Sequence, residues 1–82
     1  MLVKVKCFAW AYEVTGSDEI EVEMKESAKV SDLREILSQK FPKFSGRMES
    51  IAVSINQEFV GEGAIISSSD EVALIPPISG GL

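Results

Sequence analysis

The chain has no histidine and only one cysteine, Cys7, in 82 residues. A single thiol cannot close an internal disulfide. Without histidine, neither a zinc site of the usual Cys/His kind nor a Ser-His-Asp or Cys-His nucleophile pair can be assembled. A catalytic Cys7 would need some other base, and its place in an alternating apolar segment reads instead as a small hydrophobe of the core. Basic residues are also scarce. Eight Lys and Arg stand against 13 Asp and Glu, a net charge of −5. That balance excludes the basic surface that nucleic acid requires, and suits a partner with a basic docking face. There is no run of roughly 18 apolar residues and no basic-headed signal segment, so no membrane association is expected and the expected location is cytoplasmic. No glycine-rich phosphate loop carrying a lysine is present, so any ATP chemistry would belong to a partner.

What the chain does have is enough for one small domain. A chain of this size buries about 60–65% of its unfolded surface, so each apolar segment is needed. Val3, Val5 and Cys7 alternate with Lys4, Lys6 and Phe8, which predicts a strand from Leu2 to Ala9. Ala9–Val14 fits one helical turn, and Thr15-Gly16-Ser17-Asp18 a turn after it. Ile20, Val22 and Met24 alternate with Glu19, Glu21 and Glu23, a second strand with an acidic outer face, paired with the first. Ser31 is the expected helix cap, with Asp32 in the first turn. Leu33, Ile36, Leu37 and Phe41 share one stripe, and Pro42 ends the helix. Phe44 and Met48 lie in a polar connection to a third strand marked by Ile51, Val53 and Ile55. Asn56-Gln57 is a tight-turn candidate, followed by a short strand at Glu58–Val60. Gly61–Ser69 reads as loop and Glu71–Ile75 as a last strand, with Val72 and Leu74 facing the core. The pattern predicts a small α+β roll.

The ending is the most unusual segment. Ile75-Pro76-Pro77-Ile78-Ser79-Gly80-Gly81 precedes a single Leu82. The two prolines stiffen the chain toward extended geometry and cannot donate to a sheet ladder. Gly80 and Gly81 have no Cβ, so the backbone there can pass a constriction. Pro76 to Gly81 spans about 20 Å when extended. A glycine terminus taken alone reads as a frayed end. An apolar strand and a double proline leading straight into it point instead to an arm that enters another protein's pocket.

Three segments together resemble one family. Phe8-Ala9 closes the first strand, Val53-Ser54-Ile55-Asn56-Gln57-Glu58 resembles the motif VAVN-x-E, and Asp70 to Gly81 resembles DEVALIPPVSGG. The family is that of the small, sulfur-carrying subunits of molybdopterin synthase, which are ubiquitin-like proteins. The resemblance runs over essentially the whole chain, and the ending is its most specific part. Gln57 and Ser69 depart from it, both at turn positions where the family often has glycine.

The resemblance implies a β-grasp (ubiquitin-like) roll over residues 1–75, a mixed sheet of about five strands with one main helix across one face. Residues 76–82 would form an extended tail. It implies a sulfur carrier whose Gly81 carboxyl is adenylated by an ATP-dependent activating enzyme and converted to a thiocarboxylate. Pro76, Pro77, Ile78, Ser79 and Gly80 would thread into the large synthase subunit, where sulfur passes to cyclic pyranopterin monophosphate. Two transfers would build the dithiolene of molybdopterin. The acids and bases of the reaction would lie on the large subunit, in a heterotetramer with two carriers at opposite ends of a large-subunit dimer. No metal or cofactor is expected on this chain. Phe8, Ala52, Ala73 and Ile75 point away from the predicted core and are the expected partner interface. Phe59 fits either that interface or the core, and Trp10 either a core lid or a contact. Leu82 does not fit, because the activated carboxyl must be that of glycine. A cloning remnant explains it, with proteolytic exposure of Gly81 as the alternative. Sulfur carriage for thiamine or cysteine synthesis, a ubiquitin-like modifier joined through Gly81, and a plain binding module are the other functions considered.

Overall fold

A computed structural model describes residues 1–77. Its elements are β1 (Leu2–Cys7), α1 (Trp10–Thr15), β2 (Glu19–Glu23), α2 (Val30–Lys40), β3 (Ala52–Ile55), β4 (Glu58–Phe59) and β5 (Val72–Ile75), with 3₁₀ turns at Pro42–Phe44 and Met48–Ser50. The strands form one mixed sheet in the order β2-β1-β5-β3-β4. β5 runs parallel to β1 and antiparallel to β3, so the last strand in sequence lies in the middle of the sheet. This is the expected roll, with α2 as the main helix.

The core lies on one face of that sheet. Val3, Val5, Cys7, Val22, Val53, Val72 and Leu74 supply the strand side, and Val30, Leu33 and Leu37 the helix side. The strand residues sit at alternate positions, as a pleated strand with one buried face requires. Phe44 and Met48, although they lie in the polar connection before β3, are fully part of this core. The Phe44 ring meets Trp10 at 6.1 Å and Phe41 edge-on at 6.0 Å. Trp10 is therefore the core lid, and the Arg47 guanidinium lies 4.0 Å from the centroid of its ring in a cation–π contact.

Several boundaries differ from the sequence pattern, each for a local reason. β1 stops at Cys7 because Ala9 turns the chain at φ 52, and α1 follows at once. That helix ends on Gly16 at φ 75, whose N–H reaches the Tyr12 carbonyl at 2.7 Å, a left-handed cap that favours glycine. α2 begins at Val30, not after Ser31. The free N–H groups of its first turn are taken by the preceding loop's partner segment. Val30 N–H donates to the Ala64 carbonyl and Ser31 N–H to that of Glu62. Asp32 reaches back to accept the Lys29 N–H at 2.8 Å. A serine cap is unnecessary where another segment supplies the acceptors.

Two polar clips hold the outer connections. Arg34 donates through Nη1 to the carbonyls of Met48 (2.6 Å) and Ile51 (2.7 Å), and through Nε to Glu62 (2.7 Å). One guanidinium thus joins α2 to both the segment before β3 and the 62–64 turn. The second clip centres on Asn56, at φ 53 in a turn whose next residue, Gln57, is at φ 71. Its amide donates to Asp70 (3.0 Å) and accepts the Glu71 N–H (2.9 Å), while Asp70 accepts the Ser67 N–H at 2.8 Å. The β3–β4 turn is thereby tied to the residue just before β5.

Replacing Arg34 by Ala removes three charge-assisted bonds at once and is expected to cost about 2–3 kcal/mol in urea denaturation. Arg34→Lys restores the charge without the fork and should recover only part of that loss. Asp70 has its carboxyl pKa lowered, first by the Ser67 backbone N–H and, among side chains, by Asn56. Its folded pKa is therefore below the unfolded value. The stability it contributes is present above about pH 4 and is lost as pH falls through the folded pKa. Asp70→Asn should accordingly show a shallower loss of stability in acid than the parent chain, measured as urea midpoint against pH.

Candidate functional site

The outer face of the sheet is built by strand register. Pairing across all five strands places Glu19, Lys6, Ala73, Ser54 and Phe59 in one row. One row toward the C-terminal end of β5, Ile75 stands opposite Ala52. Phe8 reaches the same end, its N–H donating to the Leu74 carbonyl at 3.3 Å. At the opposite end of the face the row carries Lys4 and Glu21, which are register partners. The face is therefore divided, apolar where β5 ends and charged where it begins.

Phe8 is 49% exposed and Phe59 71% exposed, both large for rings on a folded domain. The ring of Phe59, which the sequence left between core and surface, is on the surface. Between these two rings lies a depression of about 390 Å³, with Ser54, Ala73 and Ile75 among its lining residues. Ala73 faces outward as its strand parity requires, yet is only 6% exposed. A methyl group in the central strand is overshadowed by longer neighbours, so Ala73 lines the hollow without projecting from it. Ala52 and Ile75 are half-buried. Ser54, which the sequence did not single out, is buried on this outer face beside Ala73. Its position could be inferred only once β3 was known to lie next to β5.

The charged boundary of the hollow is a pair that sequence reasoning also missed. Lys6 Nζ lies 2.9 Å from Glu71, and hydrogen bonding to that carboxylate, followed by its charge, raises the Lys6 pKa. The two residues meet because β1 and β5 are parallel neighbours, a relation no local pattern announces. Cys7 is buried beneath the face, and burial pushes its thiol pKa up. A neutral, covered thiol is a poor sulfur nucleophile. It belongs to the core. Among the described residues, no three His, Cys, Asp or Glu side chains converge as metal ligands.

The tail begins from the centre of this face. β5 is hydrogen-bonded on both edges, so its direction at Ile75 is fixed by two neighbours. Pro76 is buried and Pro77 exposed. Ile78, Ser79, Gly80, Gly81 and Leu82, which include the expected threading and carboxyl-bearing positions, lie outside the described residues. No helix among the described residues is long and apolar enough to cross a membrane.

Comparison with known proteins places this geometry in a family context. The sequence profile of the ThiS family matches residues 5–81. A molybdopterin synthase sulfur carrier subunit of Arabidopsis thaliana is 34% identical, over 96% of this chain and 82% of that protein. The protein of the same name from Chlamydomonas reinhardtii is 35% identical, over 99% of this chain and 100% of its own length. Among solved structures, SAMP1 of Haloferax volcanii superposes with a TM-score of 0.85 at 31% identity, covering 99% of this chain and 100% of that one.

If the apolar end of the face is a docking surface, one charge placed on its rim should disrupt it. Phe8→Asp is expected to weaken binding to a molybdopterin synthase large subunit by at least about tenfold, with thermal unfolding little changed because the ring is half exposed. A titration by calorimetry checks this, and unchanged affinity would rule out Phe8 as a contact.

Proposed function

The chain belongs to the ThiS family, and on that premise we propose that it is the sulfur carrier of molybdopterin synthesis. The observation that supports this most directly is full-length similarity, at 34–35% identity, to proteins named molybdopterin synthase sulfur carrier subunits. The fixed central strand adds physical sense. It ends at Ile75 beside the exposed ring of Phe8, so a partner that grips this face would stand where the chain continues into its ending.

In this reading Gly81 is a carried substrate group. An α-carboxylate has a pKa of about 3.5 and is ionised and unreactive toward nucleophiles at neutral pH. Its oxygen first attacks the α-phosphate of ATP on an activating enzyme, releasing pyrophosphate and leaving an acyl adenylate. Hydrosulfide then adds to the acyl carbon, AMP departs and the S–H proton is lost, giving the thiocarboxylate. The large synthase subunit takes the tail into its active site, and the thiocarboxylate sulfur is transferred to cyclic pyranopterin monophosphate. The glycines at 80 and 81 leave the acyl carbon unhindered and the approach narrow. Proton transfers fall to partner residues, since this chain brings no histidine to the tail. The working form must end at Gly81, because an amide bond to Leu82 leaves no carboxyl to activate. The carrier acts in the cytoplasm in a heterotetramer with the large subunit.

Similarity to SAMP1, a small archaeal modifier protein, favours a second reading in which the same activated glycine is joined to lysines of target proteins. The two fates separate by mass. The carrier appears as free protein with sulfur in place of one terminal oxygen, and the modifier as higher-mass conjugates.

The deciding assay is reconstitution. Thiocarboxylated protein ending at Gly81, mixed with the large subunit and cyclic pyranopterin monophosphate, should form molybdopterin and return the carrier as its carboxylate. Removal of Gly81 should abolish the product while leaving docking within about twofold, since the face is untouched. No product from the intact thiocarboxylate would reject the carrier role.

A further inference from the structure

The edge of the sheet farthest from β4 is formed by β2, and its backbone is open. The Asp18 carbonyl accepts the Cys7 N–H at 2.9 Å, and the Met24 N–H donates to the Met1 carbonyl at 2.8 Å. Antiparallel pairing alternates, so positions 18, 20, 22 and 24 bond inward to β1 while Glu19, Glu21 and Glu23 direct their N–H and C=O groups outward. The Ser17 hydroxyl takes the Glu19 carbonyl at 2.8 Å. The outward groups of Glu21 and Glu23, and the Glu19 N–H, have no strand partner among the described residues.

The same three residues carry their carboxylates on the outer face. Lys4 and Lys6 stand opposite Glu21 and Glu19 on β1, but the ion pair of Lys6 goes to Glu71, and that of Glu23 to the Met1 ammonium at 3.0 Å. Past Glu23 the edge opens into a depression of about 570 Å³ between the 24–28 segment and α2. Met24, Ala28 and Ile36 are its apolar lining, and four acids, Glu23, Glu26, Asp32 and Glu35, line it against a single cation, Lys25. An open ladder thus runs directly into a hollow with apolar and acidic walls.

We propose that the β2 edge is a second docking site, which accepts an extended basic segment of a protein partner as an added strand. A strand laid beside β2 puts every second side chain next to Glu19, Glu21 and Glu23, on the same face. Lys or Arg at alternate positions meets that row, and the next residues along enter the hollow beside α2. A second copy of this chain is excluded as the occupant by the same row, since β2 against β2 sets glutamates beside glutamates. Charge complementarity therefore selects a basic strand. The hollow lies at the end of this edge away from the close of β5, because Glu23 pairs with Leu2 at the start of β1, whereas Leu74 of β5 pairs with Cys7 at its end. Glu19, at the other end of the edge, is level with Ala73 but separated from β5 by β1. A strand added at the β2 edge does not cover Phe59, which stands on β4 at the other edge of the sheet.

The test is a titration of the isotope-labelled full chain with the capped peptide Lys-Val-Lys-Val-Lys-Val, followed by amide chemical shifts. Shifts are expected at residues 19–28 and along the first turns of α2. Glu21→Lys should weaken binding about tenfold and Glu21→Gln by less, both with an otherwise unchanged spectrum. N-methylation of one alternate set of peptide amides should abolish binding, and methylation of the other set should spare it. A variant ending at Pro77 should bind equally well, which separates this site from the tail chemistry. Equal binding by Lys-Lys-Lys-Val-Val-Val, equal tolerance of both methylation patterns, or shifts centred on Phe8 and Phe59 would each overturn the proposal. So would concentration-dependent shifts at residues 19–23 without peptide, which would identify a second copy as the occupant.

Discussion

The structure depends on holding its last strand in the middle of its sheet. β5 is four residues long and bonds to β1 on one side and β3 on the other. Val72 and Leu74 are fully buried beneath it against the helix layer. Because a slip of one residue would turn both of them to the outer face, the register is strongly specified. The Asn56 clip to Asp70 and Glu71 fixes the strand at its start, and burial of Pro76 fixes it at its end. The chain therefore has a fixed direction where β5 ends.

Centrality also shapes the surface around the arm. A strand flanked on both sides contributes small or half-covered side chains, here Ala73 and Ile75, while its neighbours contribute the rings that project. Phe8 comes from β1's end and Phe59 from the short edge strand β4. The result is a hollow with aromatic walls beside the tail and an ion pair, Lys6 with Glu71, at its far boundary. Apolar area near the tail suits affinity, and charge farther away suits orientation. The acidic excess of the chain is concentrated elsewhere, on β2 and the adjoining end of α2, so the two ends of the molecule offer different chemistry to partners.

Much of the core was legible because it follows periodicity. Val3, Val5 and Cys7, Val22, Val53, Val72 and Leu74 alternate as strands, and Leu33 and Leu37 recur as a helix, so each was assignable from its own segment. Phe44 and Met48 were undervalued since 3₁₀ turns have no apolar period to read. Ser31 was taken for a cap because its side chain is the right kind. The acceptors that displaced it, the carbonyls of Glu62 and Ala64, come from a segment thirty residues later. The three bonds of Arg34 depend on the same long-range placement.

The sequence by itself determined the alternating strands, the helix stripe, the lack of any histidine and the glycine-rich ending, all of which are local consequences of residue type and spacing. Its likeness to a carrier family was carried by the Asp70–Gly81 run, and full-length comparison extended that likeness to the whole chain. Only the tertiary structure decided that β5 is central, that Ala73 floors a hollow instead of projecting, that Phe59 is exposed, and that β2 keeps an open edge. Those facts concern which strands are neighbours. Hydrogen-bond pairing between segments distant in sequence leaves no periodic trace in either one, so it becomes visible only when the chain has closed on itself.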